Sequence, residues 1–139
     1  QEPVPGGTNI KNALEYLAQV AKHSCIAFVA SDYYDKGYDK ALRRVSRKHD
    51  VIALRMRDRR EVEVPRIGKI EMQDAESAEP FWIDTSSYTF QEGYQKSMKA
   101  FESELVDIFK KAGVDRLDLW THEDYFKEVV RYFRARKRK

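Results

Sequence analysis

Two periodicities alternate in the first half of this chain, and that alternation constrains its fold more than any other feature. From Asn9 to Lys22 the apolar residues Ile10, Ala13, Leu14, Leu17, Ala18 and Ala21 recur at the spacing of one helix face. Cys25-Ile26-Ala27-Phe28-Val29-Ala30 follows, an apolar run too short for a helix that ends at Ser31-Asp32, and it predicts a strand buried on both faces. Tyr38, Ala41, Leu42 and Val45 return to helical spacing, and Val51-Ile52-Ala53-Leu54 predicts a second apolar strand. Helix, strand, helix, strand implies an α/β fold: a parallel sheet flanked by helices, with right-handed crossovers. Ligands of open sheets sit outside the carboxyl ends of the strands, so function is expected between Thr8 and Asp32.

The second half adds three elements. Over residues 69–84, Ile70 and Met72 alternate with Glu71 and Gln73, a polar turn runs through Asp74-Ala75-Glu76-Ser77, and Phe81-Trp82-Ile83 follows. This pattern predicts an antiparallel hairpin inserted at the sheet's edge. Tyr94, Met98, Phe101, Leu105, Ile108, Phe109 and Ala112 mark a long helix from about Tyr88, stopped by Gly113 as its C′ residue. Val114 to Trp120 alternates as a third main strand. Thr121-His122-Glu123-Asp124 resembles a capping box before a last helix with Phe126, Val129, Val130 and Phe133 on one face. Trp82 and Trp120 are expected in the core or on a sheet face.

At 139 residues the chain has the length of one domain. No run of about 18 apolar residues exists to span a bilayer, so no membrane contact is expected from this segment. The opening Gln1-Glu2-Pro3-Val4-Pro5-Gly6-Gly7 lacks an initiator Met and the pattern of a signal peptide, and reads as a cut inside a longer protein. A single cysteine, Cys25, in an apolar run predicts a buried thiol in a reducing, cytoplasmic setting.

Net charge is only +3, yet the tail 131–139 carries Arg131, Arg134, Arg136, Lys137, Arg138 and Lys139 with no acid among them. A second basic stretch holds Arg43, Arg44, Arg47 and Lys48. Solvated helix ends explain both. The alternative is a small basic nucleic-acid-binding module using Arg43, Arg47 and the cations from Arg134 to Lys139.

Catalytic chemistry finds few candidates. His23, His49 and His122 stand alone at predicted element ends, and Gly6-Gly7-Thr8 lacks the lysine of a phosphate loop. The Thr8 hydroxyl and the Asp32 carboxylate, converging at one sheet edge, are hard oxygen ligands suited to Mg²⁺ or Mn²⁺. Both also suit plain structural duties, Thr8 as a helix N-cap and Asp32 as a turn former. Tyr33-Tyr34 beside Asp32 would form a partner-binding rim or a turn packed on the next helix.

Gly7-Thr8-Asn9-Ile10 with Ala13-Leu14, then Phe28-Val29-Ala30-Ser31-Asp32, resembles the second and third motifs of a von Willebrand factor A domain. Further stretches resemble the C-terminal half of the bacterial proteins called domain of unknown function 58. They are Ala41-Leu42-Arg43-Arg44, His49 to Arg55, Asp58-Arg59-Arg60-Glu61, Asp74-Ala75-Glu76 and Trp82-Ile83-Asp84-Thr85-Ser86. The resemblance implies a Rossmann-like A domain without enzymatic activity, an adaptor working with a MoxR-type AAA+ ATPase in protein maturation or assembly. It also implies a metal-ion-dependent adhesion site in which Thr8 and Asp32 bind Mg²⁺ or Mn²⁺, with Ser31, Tyr33 and Tyr34 beside them facing a partner. The Asp-x-Ser-x-Ser motif that begins such a site is absent from this sequence, so the site is partial here. Without the neighbouring first strand, residues 25–30 would form an exposed apolar edge, and a homodimer through it is expected.

Overall fold

A computed structural model describes residues 9–74 and 76–137. They fall into two compact units, one holding the described residues of 9–57 and 106–137 and the other those of 58–105.

The first unit is built on a three-stranded parallel sheet. Its strands are β1 (Ile26–Ser31), β2 (Asp50–Arg57) and β5 (Asp115–Trp120), in the order β1-β2-β5. The register sets Ala27 beside Val51 and Ala53 beside Arg116. Helix α1 (Ile10–Val20) starts where the Asn9 side chain accepts the Asn12 N–H at 2.9 Å, and it buries Ile10 and Leu14. Helix α2 (Asp39–Ser46) buries Ala41, Leu42 and Val45 and packs on α1. Helix α5 (Tyr125–Arg136) brings Phe133 edge-on to Phe28, with ring centroids 5.7 Å apart. The expected α/β architecture, a parallel sheet flanked by helices, is present.

Two details depart from the expectations. β1 is an edge strand, and its burial alternates: Ile26 is 57% exposed and Phe28 48% exposed. Ile26, Phe28 and Ala30 share one face of the strand, and that face is left open. Helix α5 begins three residues later than the Thr121 signal suggested, because Asp124 is the residue whose carboxylate accepts a first-turn N–H, from Phe126 at 3.2 Å.

The second unit contains α3 (Arg59–Val62), the strands β3 (Lys69–Gln73) and β4 (Pro80–Asp84), and most of α4 (Tyr88–Ala112). β3 and β4 pair antiparallel, Ile70 opposite Ile83, as a two-stranded sheet of their own. The hairpin therefore exists but does not extend the parallel sheet. Its turn is held by the Asp74 carboxylate, which accepts N–H bonds from Ser77 and Glu76 and the Ser77 hydroxyl; these bonds keep the carboxyl below its usual range. Trp82 is exposed, contrary to its expected packing. The buried Thr85 hydroxyl donates to the Gly68 carbonyl at 2.8 Å, and Tyr94 donates to the Glu61 carbonyl at 2.7 Å, fastening α3 to α4.

α4 ends as expected. Gly113 has φ +65, its N–H reaches the Lys110 carbonyl at 3.2 Å, and the Val114 N–H reaches Phe109 at 3.0 Å. That bond pair needs a left-handed C′ residue, which glycine adopts without a Cβ clash. No described helix is long and apolar enough to cross a membrane.

Candidate functional site

β1 delivers Ser31 and Asp32 to the carboxyl end of the sheet, and the chain then turns through residues 33–37. Two side chains fold back on the backbone to make the turn. Ser31 Oγ accepts the Tyr33 N–H and Asp32 Oδ1 accepts the Tyr34 N–H, each at 3.1 Å. Tyr33 itself takes φ +64, a conformation that costs a non-glycine residue energy and persists only where the surroundings impose it. Those surroundings are aromatic. The Tyr33 ring lies 5.1 Å from Phe109, edge-on, and 5.9 Å from Tyr38, while its hydroxyl donates to the Val29 carbonyl. Burial, reinforced by Tyr38, pushes the Tyr33 phenol far above its ordinary titration range, so it stays a neutral donor.

This separates the two tyrosines. Tyr33, 1% exposed, is a core anchor and is withdrawn from the expected rim; Tyr34, 43% exposed, remains beside Asp32 at the surface. Ser31 is buried under the turn, and Asp32 is exposed. Thr8 lies outside the described residues.

Asp35 was not singled out from the sequence. Its Oδ2 accepts the Ile10 N–H at 2.8 Å and its Oδ1 accepts the Lys36 N–H at 2.8 Å. It thereby satisfies one of the open donors at the start of α1 and joins the turn after β1 to that helix. The partners are 25 residues apart, and no local pattern links them. Among the described residues no group of three His, Cys, Asp or Glu side chains could hold a metal ion.

A second polar cluster lies on β2 and β5. Asp118 Oδ1 receives Arg116 Nε at 2.6 Å, and Asp118 Oδ2 receives Arg116 Nη2 at 2.8 Å and Arg57 Nη1 at 3.1 Å. Burial would raise the Asp118 carboxyl, but the Arg116 fork, then Arg57 and the charge of the buried Arg55, together hold it below its ordinary range. Arg57 also stacks 4.5 Å above the Trp120 ring, which is the sheet-face packing expected of Trp120.

The basic stretches are partly engaged within the chain. Arg43 pairs with Asp39 at 3.5 Å, Arg131 with Glu128 at 3.2 Å, and Arg136 with Asp50 at 2.6 Å. Beside α5, Phe126, Lys127, Val130, Arg131, Arg134 and Ala135 line an open groove of about 600 Å³. Of the three histidines, His122 faces Glu123 at 3.6 Å, whereas His49 is buried against Cys25.

The model of the family described as Protein of unknown function DUF58 matches residues 1–104. The chain belongs to the DUF58 family. An uncharacterised protein of Mycobacterium avium is 26% identical over 139 residues, covering 98% of this DUF58 chain and 80% of the relative. Uncharacterised proteins of Mycobacterium bovis and Mycobacterium tuberculosis are 26% identical over 141 residues, covering 99% of the chain but 44% of those relatives. The chain thus spans less than half the length of the longer DUF58 relatives. No solved structure matches it significantly.

Proposed function

We propose that this DUF58 chain is part of a von Willebrand factor A-like, non-enzymatic protein-interaction domain that docks its partner at the carboxyl end of β1. The observation that carries the reading is the pairing of an exposed Asp32 carboxylate and an exposed Tyr34 ring on a turn anchored from below by Tyr33 and Asp35. A rigid turn presenting one charge and one aromatic ring loses little entropy on binding, and tyrosine is favoured at interfaces. The partner class is a MoxR-type AAA+ ATPase and its assembly clients, as the family resemblance implies.

Thr8 and Asp32 are the residues that would hold Mg²⁺ or Mn²⁺. Bound there, the ion would bridge to a carboxylate on the partner. The described donors alone do not close an octahedral shell, so the partner and water must supply the rest.

The deciding experiment is an NMR titration with Mg²⁺ and with Mn²⁺, following the Thr8 and Asp32 amides in the wild type and in Thr8→Ala and Asp32→Ala. Saturable shifts confined to that edge and lost in both variants support a metal-bridged dock. A flat response in the wild type removes the metal from the proposal and leaves direct docking at Asp32 and Tyr34, tested by loss of partner binding in Tyr34→Ala.

A further inference from the structure

Helix α5 turns two kinds of side chain into one groove. Phe126 and Val130 stand one turn apart and continue the row that Phe133 brings onto the sheet, yet Phe126 is 69% exposed. Beside them Lys127, Arg131 and Arg134 recur at i, i+4 and i+7, the spacing of a single stripe on a helix. With Ala135 these residues line the open groove of about 600 Å³, and no described acid lines it. On its apolar side the surface runs on, because Phe133 meets Phe28, which is itself half exposed on the open face of β1.

A solvated helix end accounts for Arg131 and Arg134, which complement the C-terminal dipole. It does not account for Lys127, which stands in the first turn where the dipole disfavours a cation, or for the exposed Phe126. The acids that pair with this stripe, Asp124 with Lys127 at 3.9 Å and Glu128 with Arg131 at 3.2 Å, lie outside the groove lining. Ion pairs this exposed contribute little, so exchanging them for a partner's carboxylates costs little.

The chemistry of an occupant follows. It must set carboxylates against three cations and apolar side chains against Phe126 and Val130. It must also satisfy its own backbone, since the α5 backbone is hydrogen-bonded within the helix. A helix meets that condition and an extended strand does not. A phosphate backbone would pair with the cations and leave Phe126 and Val130 without a counterpart. A lipid surface asks for a broad apolar face, and the row of α5 that holds Phe133 packs on the sheet instead.

We infer that the α5 groove docks an acidic amphipathic helix of a partner protein, its carboxylates on Lys127, Arg131 and Arg134 and its apolar stripe on Phe126 and Val130. Ridges of one helix in the groove of another supply the packing, and opposed charge stripes fix the register. The groove spans about 13 Å of helix axis, enough for two turns of the partner. It is a different surface from the turn after β1.

The probe is an end-capped helical peptide of about 18 residues, with leucine at i, i+4 and i+7 and glutamate along one flank of that stripe. Titrated into the full chain at about 0.1 M salt and followed by fluorescence anisotropy, it is expected to bind with a Kd on the order of tens of micromolar. The same peptide with glutamine for glutamate should bind at least about tenfold more weakly. Arg131→Glu combined with Arg134→Glu is expected to cost about tenfold and Phe126→Ala about fivefold. These are exposed positions, so the variants keep the fold. Arg43→Glu combined with Arg44→Glu makes the same change of net charge on α2 and should leave the affinity unchanged. Tyr34→Ala should bind the peptide as the wild type does, which separates failure of this groove from failure of the dock at the β1 turn. Equal affinity for the two peptides, no saturation up to about 1 mM, or equal losses in the α5 and α2 double variants overturns the inference. Tighter binding at the same salt to phosphatidylglycerol vesicles or to a short DNA duplex assigns the groove to lipid or nucleic acid and overturns it as well.

Discussion

Arg136 Nη2 lies 2.6 Å from Asp50 Oδ1, tying the last residue of α5 to the first residue of the central strand. One turn earlier, the Tyr132 hydroxyl donates to Asp115 Oδ2 at 2.6 Å, at the start of β5, and the Arg136 guanidinium stands 5.8 Å over the Tyr132 ring. Two contacts to the starts of neighbouring strands fix where the helix ends on the sheet.

Tyr132 makes that anchor sensitive to alkali. Burial, followed by the bond and charge of Asp115, pushes its phenol from 10.0 up to about 12. The folded state thus holds the proton more tightly than the unfolded chain, so the contribution is complete below about pH 10 and is lost as pH rises toward 12. In urea melts across this range the wild type is expected to lose stability more steeply than Tyr132→Phe. At neutral pH that variant should cost about 1 kcal/mol or less, the worth of one hydrogen bond at the surface. Parallel pH profiles for the two proteins would contradict the anchor.

The two adjacent tyrosines of the β1 turn should behave differently. Tyr33→Ala empties a pocket between Tyr38 and Phe109 and is expected to destabilise the protein by about 3–5 kcal/mol. Tyr34→Ala should change stability by under about 1 kcal/mol while weakening partner binding. Chemical denaturation of the two variants measures the contrast, and similar losses would show that Tyr34 also serves the core.

Helical elements were legible because periodicity is a local property. The spacing of Ile10, Leu14 and Leu17 marked α1, that of Leu42 and Val45 marked α2, and Gly113 marked the end of α4. What depends on partners far along the chain was not. β1 reads as doubly buried from its own six residues, and the exposure of the face that carries Ile26 and Phe28 depends on what distant elements pack over it. α3 has four residues, too few to show a period. In the site, Ser31 and Asp32 were placed at the carboxyl end of β1 by the run that precedes them, but the roles of Tyr33 and Tyr34 depended on where φ +64 sent the first ring. Asp35 and His49 each act on a residue at least 24 positions away.

The Asp118 cluster shows the same point and carries a prediction. Arg57 and Asp118 look like ordinary polar positions until the register sets Arg55 beside Asp118 and Arg57 beside Trp120. Asp118→Asn removes the charge that the Arg116 and Arg57 guanidinium groups share, and is expected to cost about 1.5–3 kcal/mol at neutral pH. Because the folded-state carboxyl is depressed, the wild-type advantage is present above the ordinary aspartate range and fades as pH falls through the folded value. Urea midpoints of both proteins, taken from neutral pH into acid, should converge; a constant gap would assign the loss to packing.

β1 pairs with β2 on one side, and among the described residues no strand pairs with it on the other. Open backbone donors and acceptors flanked by the exposed Ile26 and Phe28 are a template for a further strand. In a two-fold dimer the same edge must meet itself, so two copies of β1 would run antiparallel and join two three-stranded sheets. Phe28 is engaged with Phe133, which leaves Ile26 as the position where a charge disturbs the edge and spares the fold. Sedimentation velocity is expected to show concentration-dependent association of the wild type at roughly tens of micromolar and a monomer for Ile26→Lys. A wild-type monomer throughout that range would mean that the edge pairs with a strand from another part of the protein or from a partner.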